Sequence, residues 1–166
     1  MRIFSILCAL FLLSAPVQAF FTLSSPAFDN NAPLPLKYSG KRQDLSPPLA
    51  WQNPPLGTQS YALICDDPDA PSGAWTHWVL YNIPSTMKNI AEGKTPKGAT
   101  FGKNSWGKTS YNGPNPPSGT HHYHFTLYAL DVPLALSSGL TSEQLMEAIK
   151  AHILDKATLV STFKKQ

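Results

Sequence analysis

The sequence contains little cysteine and no cluster of basic residues. Of its two cysteines, Cys8 lies in an N-terminal segment that we expect to be removed, which leaves Cys65 alone and excludes a disulfide within the mature chain. The apolar run of residues 61–65 around Cys65 favours a buried, unreactive thiol. The lysines are scattered, apart from the adjacent pair Lys164 and Lys165. This distribution argues against a nucleic-acid-binding surface.

The only long apolar run, residues 3–13, is shorter than the ~20 residues of a membrane span. Arg2 precedes it, and the segment that ends at Ala19 has residues suited to cleavage, so we predict a signal peptide over residues 1–19. Cys8 follows Leu7, which argues against a lipoprotein signal. We therefore expect residues 20–166 to form a single domain. An exported chain without disulfides fits a periplasmic or secreted bacterial protein.

Several catalytic motifs are also missing. The sequence has no phosphate-cradling Walker loop, no dinucleotide fingerprint and no zincin helix. Residues 102–107 have the wrong spacing for a nucleophile elbow. The composition alone does not exclude a Ser-His-Asp triad, although no serine is placed to suggest one. We expect no cofactor.

The sequence is rich in turn-forming residues, with sixteen prolines and ten glycines, and only 14% of its residues are charged. This composition is typical of a turn-rich, mainly β protein. Antiparallel strands separated by proline-rich connectors predict a β-sandwich or barrel. The predicted strands are residues 20–25, 34–39, 60–66, 75–83, 123–130 and 158–163.

Side-chain periodicity refines these predictions. Positions 77, 79, 81 and 83 should share one face of a strand, as should positions 121, 123, 125 and 127. One helix is expected near the C-terminus, where Thr141 and Gln144 have the spacing of a capping box. Its apolar stripe consists of Leu145, Ala148, Ile149 and Ile153.

Two polar clusters stand out, at residues 66–77 and 111–123, and each lies against a predicted strand. The first holds Asp66, Asp67 and Asp69 within four residues, and such carboxylates repel one another unless hydrogen bonds, a cation or a histidine compensate. Prolines stiffen both segments. We expect the two clusters to meet at strand ends and form one small polar pocket.

Histidines in these clusters raise the possibility of a metal site. His122 and His124 would share a strand face, but His121 and Tyr123 would lie on the opposite face, and a third ligand is not evident. We therefore expect no metal. An imidazole beside carboxylates could instead bind an anion through its N–H groups.

The clusters resemble the phosphatidylethanolamine-binding protein family, and its bacterial Raf-kinase-inhibitor-like branch in particular. The similar segments are Asp-Pro-Asp-Ala-Pro-Ser at 67–72, the strand that begins at His77, residues 46–51 and the Gly-Pro-rich segment ending at Tyr123. The resemblance implies a two-sheet antiparallel Greek-key β-sandwich with a helix near the C-terminus. It also implies an anion pocket for a phosphoryl group, such as that of a phosphatidylethanolamine head, lined by Asp67, Asp69, His77, Pro117, His121 and Tyr123.

Some positions depart from the family pattern. His122 stands where the family usually has arginine, and Ser105-Trp106 stands where Asp-Phe is common. Ser110 and Asn115 replace residues that are often glycine and cysteine in bacterial members. We expect the pocket to persist, because His122 should face away from His121.

These observations lead us to expect an exported, non-enzymatic protein that binds a phosphoryl-containing small molecule or phospholipid head group. A second interpretation is an inhibitor or modulator of a protease or kinase that acts through protein–protein contact. The third is a hydrolase that uses His77 and His121 for acid–base chemistry. No nucleic-acid partner and no membrane span in the mature form are expected.

Overall fold

The structure is a computed structural model that describes residues 19–166. The predicted signal segment lies outside the described residues except for Ala19, so its cleavage stays a prediction. Over the described part of the chain, no helix has both the length and the apolar character that crossing a membrane requires.

Residues 19–166 form two β-sheets and one short α-helix. The strands are β1 (Thr22–Ser24), β2 (Ala32–Pro33), β3 (Leu49–Gln52), β4 (Ser60–Asp67), β5 (Trp75–Pro84), β6 (Asn89–Ile90), β7 (Thr100–Phe101), β8 (Thr120–Leu130) and β9 (Ile153–Lys164). The small sheet has the order β1-β3-β6, and the large sheet has the order β2-β9-β8-β4-β5-β7. All pairs are antiparallel except β2 with β9, which is parallel. The predicted mainly β, two-sheet fold is confirmed.

Two hydrophobic cores hold the sheets and the helix together. The first lies between the sheets and includes the fully buried Trp78 and Phe125. The second lies on the outer face of the large sheet, where Val79 and Tyr81 pack beneath the helix. Full burial of an apolar side chain of this size contributes roughly 2 kcal/mol. The large sheet is thus covered on both faces, which gives the pocket described below a rigid support.

The alternation predicted for β8 is confirmed. Tyr123, Phe125 and Leu127 point into the core between the sheets, whereas His122 is exposed on the other face. Every residue of β8 from Thr120 to Leu130 faces a partner on β9. The register is unbroken from Thr120 to Ala129, and this pairing fixes the directions of the β8 side chains at the pocket.

The alternation predicted for β5 is wrong over part of its length. Val79 and Tyr81 pack under the helix, but Ile83 packs between the sheets. The register between β4 and β5 shifts at two places. A shift of one residue moves the following side chains to the opposite face, so one alternation cannot hold along the whole strand. Asn82 marks the second irregularity with a positive φ of 54°.

The strand predicted at residues 34–39 is also wrong, because Leu36–Tyr38 form a turn of 3₁₀-helix. The N–H of Tyr38 bonds to the carbonyl of Pro35, and the hydroxyl of Ser39 bonds to the carbonyl of Leu36. These local bonds satisfy backbone groups that a strand would have paired with a neighbour. The short strands β2, β3, β6 and β7 were not anticipated, since two to four residues carry little periodicity.

The predicted helix is confirmed as α1 (Ser142–Ile149), followed by a 3₁₀ turn at Lys150–His152. Thr141 and Gln144 form both bonds of the capping box. Leu145 and Ile149 are buried against the large sheet. Two members of the predicted stripe differ: Ala148 is exposed, and Ile153 begins β9.

Candidate ligand-binding pocket

One end of the large sheet carries a pocket of about 190 Å³. It lies where β4 ends and where β5 and β8 begin, so three neighbouring strands of the sheet place side chains in it. The remaining walls come from the loop after β4 and from the long connection before β8. The lining residues are Asp67, Ala70, Pro71, Ser72, Trp75, His77, Trp106, Asn115, Pro116, Pro117, His121 and Tyr123.

Asp67 and His121 form a buried pair in this pocket. Oδ2 of Asp67 lies 2.7 Å from Nδ1 of His121, and the two residues are 3% and 7% exposed. A carboxylate only accepts hydrogen bonds, so Nδ1 of His121 carries the proton of this bond. This arrangement orients the ring and leaves its Nε2 available to a ligand.

His77 is fixed by the backbone rather than by a carboxylate. Its Nδ1 lies 2.6 Å from the carbonyl oxygen of Asn112 and must donate to it, which leaves Nε2 as the available ring nitrogen. His77 is the extra residue of a β-bulge. Its neighbours Thr76 and Trp78 pair with two consecutive residues of β4, which leaves His77 without a partner on that strand. Burial lowers the pKa of His77, and the bond to Asn112 offsets only part of that effect.

Tyr123 contributes a buried phenol. Its ring packs edge-on against that of His77, with 5.1 Å between the centroids. The hydroxyl has no hydrogen-bond partner of ordinary geometry among residues 19–166. Burial, and then the nearby charge of Asp67, raise the pKa of Tyr123 well above its usual range. The hydroxyl is therefore a neutral donor that lies close to the Asp67 carboxylate without a bond of ordinary geometry to it.

The connection before β8 is held by a network that centres on Asn104 and Asn112. Asn104 accepts the N–H groups of Trp106 and Lys108, and its amide donates to the side chain of Asn112. Asp44 accepts the N–H of Gly113 at 2.5 Å. A Cβ at Gly113 would lie 2.0 Å from the carbonyl oxygen of Tyr38, so only glycine fits there. This network fixes the carbonyl that orients His77.

Two tryptophans form an aromatic wall that sequence reasoning did not assign to the pocket. Trp75 and Trp106 meet edge to face at 5.4 Å, and Trp106 meets His77 in the same way at 5.1 Å. Trp106 is 45% exposed. The sequence did show that Trp106 departs from the family pattern. A loop sequence alone, however, does not show which way a side chain points.

Five of the six predicted site residues line this pocket. Asp67, His77, His121 and Tyr123 provide polar groups, and Pro117 provides part of the wall. Asp69 is the exception, because it does not line the pocket and its carboxylate is bound to His122 on the exposed face. Asp69 instead acts through its backbone, whose N–H donates to Oδ1 of Asp67 at 2.9 Å.

The geometry offers little for a metal ion. Over residues 19–166, no group of three or more His, Cys, Asp or Glu side chains is arranged to hold one. His122 is bound to Asp69, and His124 faces Asp66 across the β4–β8 pair. Cys65, the free cysteine of the described chain, is buried, and burial raises the pKa of its thiol well above the usual range.

The sequence profile of the family described as phosphatidylethanolamine-binding protein matches residues 24–164. The chain belongs to the phosphatidylethanolamine-binding protein family. A family relative described as a UPF0098 protein, from Methanothermobacter thermautotrophicus, is 43% identical over 148 residues, which cover 86% of this chain and 98% of that relative. The candidate lipoprotein LppC of Mycobacterium tuberculosis is 42% identical over 152 residues, which cover 90% of this chain and 75% of LppC.

Solved structures of family members agree with the fold. A candidate phosphatidylethanolamine-binding protein homologue from Chlamydia trachomatis has a TM-score of 0.84 and 40% identity, and the match covers 88% of this chain and 98% of that one. YbcL of E. coli, described as a new member of the mammalian family, also has a TM-score of 0.84, at 27% identity, with coverage of 89% and 100%. The predicted family is confirmed, and these bacterial relatives agree with its bacterial branch.

Proposed function

We propose that this chain is an exported, non-enzymatic binding protein whose pocket holds a phosphoryl group. The observation that supports this function best is the convergence of His77, His121 and Tyr123 on one small pocket. Protonated imidazole and neutral phenol groups donate hydrogen bonds to phosphoryl oxygens. The aromatic wall of Trp75 and Trp106 borders the same space and suits an organic substituent on that group.

The buried carboxylate of Asp67 restricts how an anion binds. An anion close to Asp67 is repelled unless positive charge accumulates beside it. His121 shares a hydrogen bond with Asp67, and His77 has a pKa below its ordinary value in the empty pocket. A bound anion favours the protonated form of His77, so binding takes up a proton. The pocket therefore suits a phosphoryl group better at mildly acidic than at alkaline pH.

A hydrolase is the second candidate, because the Asp67–His121 pair resembles the Asp-His half of a hydrolytic triad. The missing part is a nucleophile. Ser72 lines the pocket, but within residues 19–166 no serine, threonine or cysteine side chain is hydrogen-bonded to His77 or His121. Binding without turnover is therefore the function that this geometry favours.

Export is supported by the signal-like N-terminal segment and by the relationship to LppC, which is described as a candidate lipoprotein.

Modulation of a protease or kinase stays an alternative, in which a partner protein would contact the exposed surface. Such an activity would survive loss of the pocket groups.

Isothermal titration of the protein with phosphorylethanolamine tests the proposal. We expect a saturable heat for the wild type that disappears in His121→Ala and weakens in Tyr123→Phe, while the circular dichroism spectra stay unchanged. His152→Ala is a matched control, because His152 also pairs with an aspartate but lies at the other end of β8. Equal binding by the wild type and His121→Ala would refute the proposed pocket, and phosphate release would favour the hydrolase.

A further inference from the structure

Two adjacent histidines of β8 hold the pocket loop from opposite faces of the sheet. His121 is buried and binds Asp67, with 2.7 Å between Nδ1 and Oδ2. His122 points outward and binds Asp69, again with 2.7 Å between Nδ1 and Oδ2. The side chains of the outer pair are 50% and 42% exposed, so this pair stands in solvent outside the pocket.

Asp69 links the outer pair to the inner one. Its Oδ2 also accepts the backbone N–H of His122 at 2.8 Å, so two bonds join it to one residue of β8. Its own N–H donates to Oδ1 of Asp67 at 2.9 Å. Asp67 thus receives one bond from the loop and one from His121. A displacement of Asp69 would change the position of the carboxylate that orients the His121 ring.

The loop is stiff enough to transmit such a displacement. Pro68 and Pro71 fix φ on both sides of Asp69 and remove two backbone donors. Ala70, Pro71 and Ser72, the residues immediately after Asp69, line the pocket. The position of Asp69 therefore also sets the position of one pocket wall.

We propose that His122 and Asp69 are positioning residues, which tune ligand affinity from outside the pocket by holding the loop of residues 67–72 against β8. The inference rests on the proposed binding function for its ligand readout, but the loop contact itself exists without ligand. His122 touches none of the lining groups directly. Its effect passes through Asp69 to Asp67, and from there to His121.

The charge of Asp69 strengthens the outer pair. The bonds from His122 lower the pKa of Asp69, so its carboxylate keeps its charge to a lower pH than an unperturbed aspartate. A hydrogen bond to a charged group is about twice as strong as one between neutral groups. The loop is therefore held to β8 by charge-assisted bonds to one carboxylate.

Calorimetric titration with phosphorylethanolamine tests the positioning role, with amide hydrogen exchange of Asp69 as a ligand-free readout. An exposed ion pair of this kind is expected to change affinity about two- to five-fold. His122→Ala and Asp69→Ala should each weaken binding by that factor, and the double variant by no more than either single change. Exchange at the Asp69 amide should speed up in His122→Ala without ligand. His122→Arg, which keeps a hydrogen-bond donor for Asp69, should retain the affinity.

His152→Ala is the matched control, because His152 and Asp131 form an equally exposed pair, 2.9 Å apart, at the far end of β8. It should leave both readouts unchanged. Additive losses in the double variant, or unchanged affinity together with unchanged exchange in His122→Ala, would overturn the inference. If the wild type binds no phosphorylethanolamine, the proposed function fails, and the exchange measurement still decides whether His122 holds the loop.

Discussion

Proton uptake by His77 predicts that ligand affinity falls as pH rises. In the empty pocket, burial lowers the pKa of His77, so the ring is neutral at neutral pH. A phosphoryl anion beside it stabilises the protonated ring and raises that pKa by roughly 1–3 units. Binding at a pH between these two pKa values therefore takes up as much as one proton. Affinity is highest below the pKa of the empty pocket and is lost as pH rises toward the higher pKa of the complex.

The size of the effect follows from linkage. Each pH unit between the two pKa values changes the dissociation constant up to tenfold, or about 1.4 kcal/mol. Across the whole interval between the two pKa values, the dissociation constant should rise by roughly tenfold to 1000-fold. The charged or titratable groups that act on His77 are Asp67, Asp44 and His121. Comparison of the wild type with His77→Gln separates the contribution of His77 from the contributions of these groups.

Glycerophosphoethanolamine is the suitable ligand for this assay, because its phosphodiester has no proton that titrates near neutral pH. Titrations in buffers of different ionisation heat should count up to one proton taken up per ligand, with the largest uptake between the two pKa values of His77 and none well above them. His77→Gln should flatten the profile, and His152→Gln should leave it unchanged. A change in the dissociation constant below about twofold, or the full slope in His77→Gln, would refute the assignment of the proton to His77.

Three further predictions concern stability and reactivity. Gly113→Ala should lower the melting temperature by about 5 °C or more, because its Cβ would lie 2.0 Å from the Tyr38 carbonyl oxygen. Cys65, which is 1% exposed, should not react with a thiol reagent in the native protein but should react fully in denaturant. Thr141→Ala should lower the free energy of unfolding by about 1 kcal/mol in urea, because it removes the side chain that accepts the N–H of Gln144.

Each of these predictions has its own contrary result. Gly73 has a positive φ, unlike Gly113, but a Cβ there would meet open space, so Gly73→Ala should cost less than Gly113→Ala. Equal losses would mean that the contact with Tyr38 is not the cause. Rapid labelling of Cys65 in native protein would contradict its burial. An unchanged urea midpoint in Thr141→Ala would show that the capping bond does not contribute to stability.

The sequence predicted best those elements whose local signals agree with their tertiary surroundings. The α1 capping box and the alternation along β8 were both readable, because one face of each element packs against a core. Prediction failed where tertiary contacts override the local pattern. At β5 two register shifts reverse the faces, and the partner strand that imposes them is not visible in the sequence of β5.

The candidate site was predicted in the same uneven way. Proline-stiffened loops beside strands indicated where polar groups would converge, and five of the six residues do line one pocket. Asp69 differs because Asp67 and Asp69 of one short loop reach opposite faces of the sheet. The carboxylate of Asp69 is bound to the backbone N–H and the ring of His122 on the outer face. Trp106 was not assigned because its direction depends on the hydrogen bonds of Asn104, a long-loop contact that periodicity does not encode.

The most direct test of the central claim is nuclear magnetic resonance of the histidine side chains during titration with phosphorylethanolamine. If the pocket binds the phosphoryl group, the ring resonances of His77 and His121 should shift together and saturate at one ligand per chain, while those of His152 stay fixed. His152 reports unspecific attraction, because it is exposed and lies at the opposite end of β8. Saturating shifts at neither His77 nor His121, or equal shifts at His152, would contradict a phosphoryl-binding pocket.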